Sequence, residues 1–173
     1  YMPGDNTRVC GAAPSRREAG LPETGVVFCS FNQPYKITPD MFDVWCRLLR
    51  EVPGSVLWLV TPHPDARANL LREAALRGID GSRLVFAPYV STTREHLGRL
   101  QLADIALDTA PYNSHSTAVD ALWSGVPLVC YRGQRFAGRV AASVVAAAGV
   151  PELAGGCLDD YHRIALALAT DAD

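Results

Sequence analysis

The sequence predicts an α/β fold, a doubly wound parallel sheet with helices on both faces, and three observations carry that prediction. Short apolar runs rich in Val, Leu, Phe and Trp alternate with longer amphipathic stretches from Gly25 onward. The runs are apolar along their whole length, as strands are when both faces are buried. Pro, Gly, Ser or Asp marks almost every junction between the two kinds of segment, so each strand hands over to a helix through a turn. Successive βαβ units of this kind connect right-handed and build one parallel sheet.

Residues 1–21 carry Pro, Gly, Arg and Ser without periodicity and read as an irregular lead-in to a domain spanning 22–173. Val26-Val-Phe-Cys-Ser-Phe31 is the first strand. Thr38-Pro39-Asp40 then supplies an N-cap and a proline at the first helical position. The helix follows in Met41, Val44, Trp45, Leu48 and Leu49. Val52-Pro-Gly stops it, and Ser55–Val60 is the second strand. Pro62-His-Pro-Asp turns into a helix through Leu70, Leu71, Ala74 and Ala75 to Gly78. Arg83–Ala87 is the third strand, ended by Pro88, and a helix over 92–100 leads to the fourth, Ala103–Asp108. A polar turn precedes a helix that starts near His115, and Pro127–Tyr131 is the fifth strand. Helices over 136–148 and 160–169 complete the reading.

Composition removes several classes. With 173 residues, 49% of them hydrophobic, and a formal net charge of -2, the chain is an ordinary globular domain without the basic face that nucleic acid or an anionic membrane requires. No apolar run approaches the roughly 18 residues of a membrane span. Cys10, Cys29, Cys46, Cys130 and Cys157 are odd in number and widely spaced, which indicates neither a disulfide framework nor a zinc site and fits a reducing cytoplasm. Cys29 and Cys130 lie in apolar runs and read as small core residues. Asp104 and Asp108 bracket the fourth strand without a third ligand, so no metal is expected there. Glycine-rich dinucleotide and P-loop signatures are missing, as is a G-x-S-x-G elbow. The chain opens on Tyr1 rather than methionine and reads as a piece of a longer protein.

In open parallel sheets ligands bind beyond the carboxyl ends of the strands. The polar residues of interest fall there. Lys36, the single lysine beside fifteen arginines, follows the first strand, where an ammonium can pair with a phosphate; a solvated loop lysine is the plainer alternative. His96 and Arg99 stand one turn apart after the third strand. They can meet a base, or simply belong to an exposed helix with a Glu95–Arg99 pair. After the fourth strand, Asn113-Ser-His-Ser-Thr117 opens a helix whose N-terminus suits an anion. His115, Ser116 and Thr117 fit that role or that of plain caps. Asp120 either closes a capping box with Thr117 or accepts hydrogen bonds from ribose hydroxyls.

Six blocks carry a resemblance. They are Phe31-Asn-Gln-Pro-Tyr-Lys-Ile-Thr-Pro, Val52-Pro-Gly-Ser-Val-Leu-Trp-Leu, Arg94-Glu-His-Leu-Gly-Arg, Leu102-Ala-Asp-Ile-Ala-Leu-Asp-Thr, Asn113-Ser-His-Ser-Thr-Ala-Val-Asp-Ala-Leu-Trp-Ser-Gly-Val-Pro and Phe136-Ala-Gly-Arg-Val-Ala-Ala-Ser. In this order the chain resembles the protein O-linked N-acetylglucosamine transferase family, and its bacterial branch with tetratricopeptide repeats most of all. The resemblance implies the C-terminal, Rossmann-like donor-binding domain of a GT-B glycosyltransferase that uses UDP-N-acetylglucosamine. It implies that Lys36 stabilises the departing UDP, with Gln33 assisting. His96 would stack near the uracil with Arg99 beside it. His115, Ser116 and Thr117 would face the diphosphate, and Asp120 would bind the ribose. Ser116 stands where the family usually has threonine, which keeps the hydroxyl.

The resemblance further implies a nucleotide sugar as substrate, no metal or other cofactor, and an acceptor protein engaged by domains outside this chain. The isolated chain is therefore expected to transfer no sugar. Two other classes remain open on sequence alone: a non-catalytic interaction domain of the same fold, and a GT-B enzyme for another nucleotide sugar.

Overall fold

The computed structural model of the chain describes residues 7–61 and 63–171. The first six residues of the predicted lead-in, Pro62 of the predicted turn and the last two residues lie outside them. Among the described residues six strands alternate with six α-helices: β1 (Val27–Ser30), α1 (Pro39–Glu51), β2 (Val56–Val60), α2 (Pro64–Leu76), β3 (Leu84–Ala87), α3 (Thr93–Leu100), β4 (Ile105–Leu107), α4 (Ser116–Trp123), β5 (Leu128–Tyr131), α5 (Val140–Ala147), β6 (Ala154–Gly155) and α6 (Leu158–Thr170). All strand pairs are parallel, in the order β3-β2-β1-β4-β5-β6. The chain thus builds outward from β1 in one direction, returns, and builds outward in the other. The turnaround between β1 and β4 is the switch point at which such sheets bind ligands.

Side-chain alternation explains the two covered faces. Phe28, Leu57, Leu59, Ile105, Leu107 and Val129 pack with Met41, Trp45, Leu48 and Leu49 of α1 and Tyr161 and Ala165 of α6. Val27, Cys29, Val56, Trp58, Leu128 and Cys130 point the other way, against Leu97 of α3, Ala118 and Ala121 of α4, and Ala141 and Val145 of α5. The strands β1 to β5 therefore supply both layers, and their apolar runs are buried on both sides. Burying a side chain of the Leu or Phe class contributes about 1.5–3 kcal/mol relative to exposure. Tyr161 is buried whole because its hydroxyl is satisfied twice. It accepts from Trp45 Nε1 at 3.1 Å and donates to the Asp108 carbonyl at 3.0 Å.

Local signals set the helix ends. Thr38 Oγ1 accepts from Met41 N at 3.4 Å ahead of Pro39 at the first helical position. Thr92 and Glu95 form a reciprocal capping box at α3. Glu95 is thereby used at the cap, and the alternative Glu95–Arg99 pair is not formed. The anticipated Thr117–Asp120 box is absent too: α4 begins at Ser116 with His115 at its N-cap and no side-chain cap.

Three features differ from the sequence reading. The sheet has a sixth strand, β6, only two residues long and paired with β5 through Cys130↔Ala154 and Tyr131↔Gly155. Two residues have no periodicity to read. The helix expected over 136–148 is broken at Arg139 into a 3-10 turn, Phe136–Gly138, and α5. Gly133 N donates to Gly138 O at 2.7 Å and folds the turn back on the preceding loop. Residues 7–21 hold neither strand nor helix, yet they are fastened across α3 and α4. Gly11 N donates to Arg94 O at 2.9 Å, Trp123 Nε1 donates to Arg8 O at 3.3 Å, and Leu21 is buried.

Candidate functional site

A cleft of about 560 Å³ opens at the carboxyl ends of β1, β2 and β3. Phe31 follows β1, Val60 and Thr61 end β2, and Ala87 ends β3. The loop Tyr89–Thr92, His96 and Arg99 of α3, and Ser116 and Asp120 of α4 close its sides. Of the eight residues singled out in the sequence, Gln33, His96, Arg99, Ser116 and Asp120 line this cleft. Lys36, His115 and Thr117 do not line it; His115 and Thr117 flank Ser116 in the chain, and Lys36 follows Gln33 by three residues.

The lining is cross-linked. Arg99 is buried, donates to the carbonyl of Pro88 at 2.5 Å, and lies 4.8 Å above the Phe31 ring. Its Nη2 approaches His96 Nδ1 at 3.3 Å, while His96 Nε2 stands 3.6 Å from Asp120 Oδ2. A guanidinium only donates, so Nδ1 is the acceptor and the imidazole proton sits on Nε2, facing the carboxylate. Burial lowers the pKa of Arg99, opposed by the charge of Glu95. Asp120 also pairs with Arg8, a cleft residue from the lead-in. Nothing local in the sequence marks Arg8, because its partner lies in another element brought close only by folding.

Beside the cleft, Lys36 ends a 3-10 turn, Pro34–Lys36. Its ammonium donates to Asn113 O at 3.1 Å and to Asn32 Oδ1 at 3.4 Å, and stands 4.4 Å over the Tyr112 ring. Desolvation lowers its pKa, and the charge of Asp108 works against that. His115 stacks on the same Tyr112 ring, at 5.3 Å between ring centroids. Burial, then the Lys36 charge, hold its imidazole below the ordinary histidine pKa, so it is neutral at pH 7. The Thr117 hydroxyl donates to Asn32 Oδ1 at 3.3 Å. Its one hydroxyl hydrogen is therefore directed at the protein rather than toward a ligand.

The turn between β4 and α4 is a polar scaffold that sequence reasoning credited only in part. Asp108 is fully buried, and Oδ1 accepts from Ser114 N at 2.6 Å. Desolvation pushes this carboxyl up to about 7, against hydrogen bonds from Ser114 and Thr109 and the charge of Lys36. Asn113, also fully buried, donates through Nδ2 to the carbonyls of Thr109 at 2.9 Å and Tyr131 at 3.3 Å. Asn32, Asn113 and Asp108 carry the site's framework. The signal of Asn32 and Asp108 in the sequence is a polar residue at the end of an apolar run, the mark of a side chain recruited to a loop, whereas Asn113 lies within the polar turn itself. Among the described residues no group of three or more His, Cys, Asp and Glu could hold a metal ion, and no helix is long and apolar enough to cross a membrane.

The model of glycosyl transferase family 41 matches residues 4–173. The UDP-N-acetylglucosamine–peptide N-acetylglucosaminyltransferase of Caenorhabditis elegans is 43% identical over 159 residues, which is 92% of this chain and 14% of that protein. Among solved structures, a mutant of the Thermobaculum terrenum O-GlcNAc transferase superposes with a TM-score of 0.85 and 32% identity, over 96% of this chain and 31% of that one. The α,α-trehalose 6-phosphate synthase of Burkholderia multivorans shares the fold alone, with a TM-score of 0.66 and 14% identity over 90% of this chain and 37% of its own. These neighbours are GT-B glycosyltransferases, and the chain spans about a seventh of the length of the nematode relative. The match over almost its whole length makes this chain a member of glycosyl transferase family 41.

Proposed function

We propose that the chain is the donor-nucleotide domain of a UDP-N-acetylglucosamine-dependent protein O-glycosyltransferase, which transfers the sugar to serine or threonine of an acceptor protein. The observation that carries this reading is the cleft at the sheet's switch point. It is walled by the Asp120–His96–Arg99 chain on one side and adjoins Lys36 and the uncapped start of α4 on the other. Asp120 suits ribose hydroxyls as an acceptor, His96 and Arg99 suit a uracil, and Ser116 with the first-turn amides of α4 suits the diphosphate. When the sugar–phosphate bond breaks, negative charge gathers on the departing UDP. The Lys36 ammonium and the positive end of α4 stabilise it in place of a metal ion. Gln33, in the cleft wall just ahead of the turn that carries Lys36, assists.

The groups that position the acceptor belong to a further domain, so the chain alone is inactive. Tyr35, Tyr89, Tyr112 and Phe136 support this reading. All four are exposed, and each follows a different strand at its carboxyl end, so apolar surface is left open on that side of the sheet, with Tyr89 in the cleft wall itself. Tetratricopeptide repeats elsewhere in the protein and a cytoplasmic setting complete the proposal.

Titration calorimetry with UDP, GDP and ADP tests the donor site, and UDP is expected to bind best. In the complete protein, Lys36→Ala is expected to lower kcat by about 10²–10³, the effect of removing one donor to developing charge. Equal affinity for the three nucleotides, or an unchanged kcat for the variant, overturns the reading.

A further inference from the structure

The polar network behind Lys36 carries one step more. Asn32 follows β1 by two residues, is 5% exposed, and stands where the sheet reverses its direction of growth between β1 and β4. Three separate elements meet on its carboxamide. Nδ2 donates to Ser114 Oγ at 2.7 Å. On the other side, Oδ1 receives Lys36 Nζ at 3.4 Å and Thr117 Oγ1 at 3.3 Å. The amide cannot be turned round. Turning it would set its own N–H groups against an ammonium, which has no acceptor to offer. Ser114 is fixed in turn, because its backbone N–H donates to the buried Asp108 at 2.6 Å.

We propose that Asn32 is a positioning residue: its clamped carboxamide sets the place of the Lys36 ammonium and of the first turn of α4 relative to each other. The proposal rests on the leaving-group role of Lys36 given above. Among the described residues, Asn32 Oδ1 and Asn113 O are the hydrogen-bond acceptors of that ammonium. An ammonium has three N–H groups, so one is left to meet an incoming phosphate oxygen. Its direction is fixed by where the other two are held. Asn32 thus hydrogen-bonds the lysine, the Asp108–Ser114 turn and α4 at once. Groups held in place before the charge develops need no reorganisation when it appears, and that is the source of their effect on rate.

The test uses the complete protein and a double-mutant cycle, with donor kcat and KM and thermal melting measured for each variant. Asn32→Ala is expected to lower kcat about tenfold or more while donor KM moves less than about threefold, as for an interaction felt mainly in the transition state. In a Lys36→Ala background the same substitution is expected to lower kcat by less than about twofold, because the group it positions is gone. An equal fold-loss in both backgrounds would show a general structural defect and overturn the proposal, as would an unchanged kcat for Asn32→Ala alone. Should Asn32→Ala fail to fold, Ser114→Ala, which releases the Nδ2 clamp, takes its place. It must also lower kcat only when Lys36 is present, and any other pattern overturns the proposal. An unchanged kcat for Lys36→Ala by itself overturns the leaving-group reading, and Asn32 falls with it.

Discussion

Asp108→Asn is expected to remove a fall in stability between pH 4 and pH 8. Asp108 has no exposed surface; Oδ1 accepts from Ser114 N, while Oδ2 has no hydrogen-bond partner among the described residues. Burial raises its pKa from 3.8 to about 7. In the unfolded chain this carboxyl gives up its proton near pH 4, whereas in the folded chain it keeps it until about 7. Across that window the folded state binds the extra proton, so stability falls as pH rises and levels off above the folded pKa. The gap between 3.8 and about 7, at about 1.4 kcal/mol per pH unit, corresponds to about 4 kcal/mol.

Asparagine keeps the acceptor for Ser114 N and has no charge to bury. Its amide N–H group, placed where Oδ2 lies, leaves an unsatisfied donor costing about 1–3 kcal/mol at every pH. That offset does not vary with pH. Carboxylates held below their ordinary pKa by hydrogen bonds, such as Glu73 by Arg77 and Asp80 by Ser82, act at lower pH with the opposite sign and are common to both proteins. The assay is urea unfolding at a series of pH values, followed by the fluorescence of the buried Trp45 and Trp58. The stability of the variant minus that of the parent is expected to grow by about 4 kcal/mol from pH 4 to pH 8. Parallel curves would show that Asp108 is ionised at its ordinary pKa and would refute the argument.

Two further substitutions probe the packing that holds the site. Tyr161→Phe removes the hydroxyl that joins Trp45 Nε1 to the Asp108 carbonyl. It leaves both buried groups unpaired, so a loss of about 2–4 kcal/mol is expected in urea unfolding, and a loss below about 0.5 kcal/mol would mean that water replaces the hydroxyl. Gly155→Ala would put a methyl 2.6 Å from Tyr161 N, a backbone atom of α6. The backbone cannot yield as a side-chain tip can, so a loss of about 2 kcal/mol or more is expected. An unchanged melting temperature would show that β6 is free to move away from α6.

Much of this molecule is local and therefore legible. The strand runs are apolar for both faces at once, Thr38-Pro39 and Thr92–Glu95 mark their helices with their own side chains, and the polar turn after β4 shows itself by composition. Cys29 and Cys130 take the core positions that their apolar neighbours indicate. Of the two readings left open for the helix over 92–100, the Glu95–Arg99 pair gave way to the Thr92–Glu95 cap. What the sequence did not show depends on contacts rather than on periodicity: β6 exists because β5 offers it an edge, and α5 starts late because the Gly133–Gly138 loop closes on itself.

The site divides along the same line. The sequence alone determined that a parallel sheet would place Lys36, His96, Arg99 and the Ser114–Asp120 segment at strand ends, because strand direction and turn chemistry are written in neighbouring residues. Only the tertiary structure decided which of them face the cleft and which are bound to the protein. Asp120 meets Arg8 from 112 positions away, and Asn32 reaches Ser114 from 82. A hydrogen bond depends on tenths of an ångström between atoms that the chain brings together only after the core has packed, and no spacing along the sequence encodes that distance.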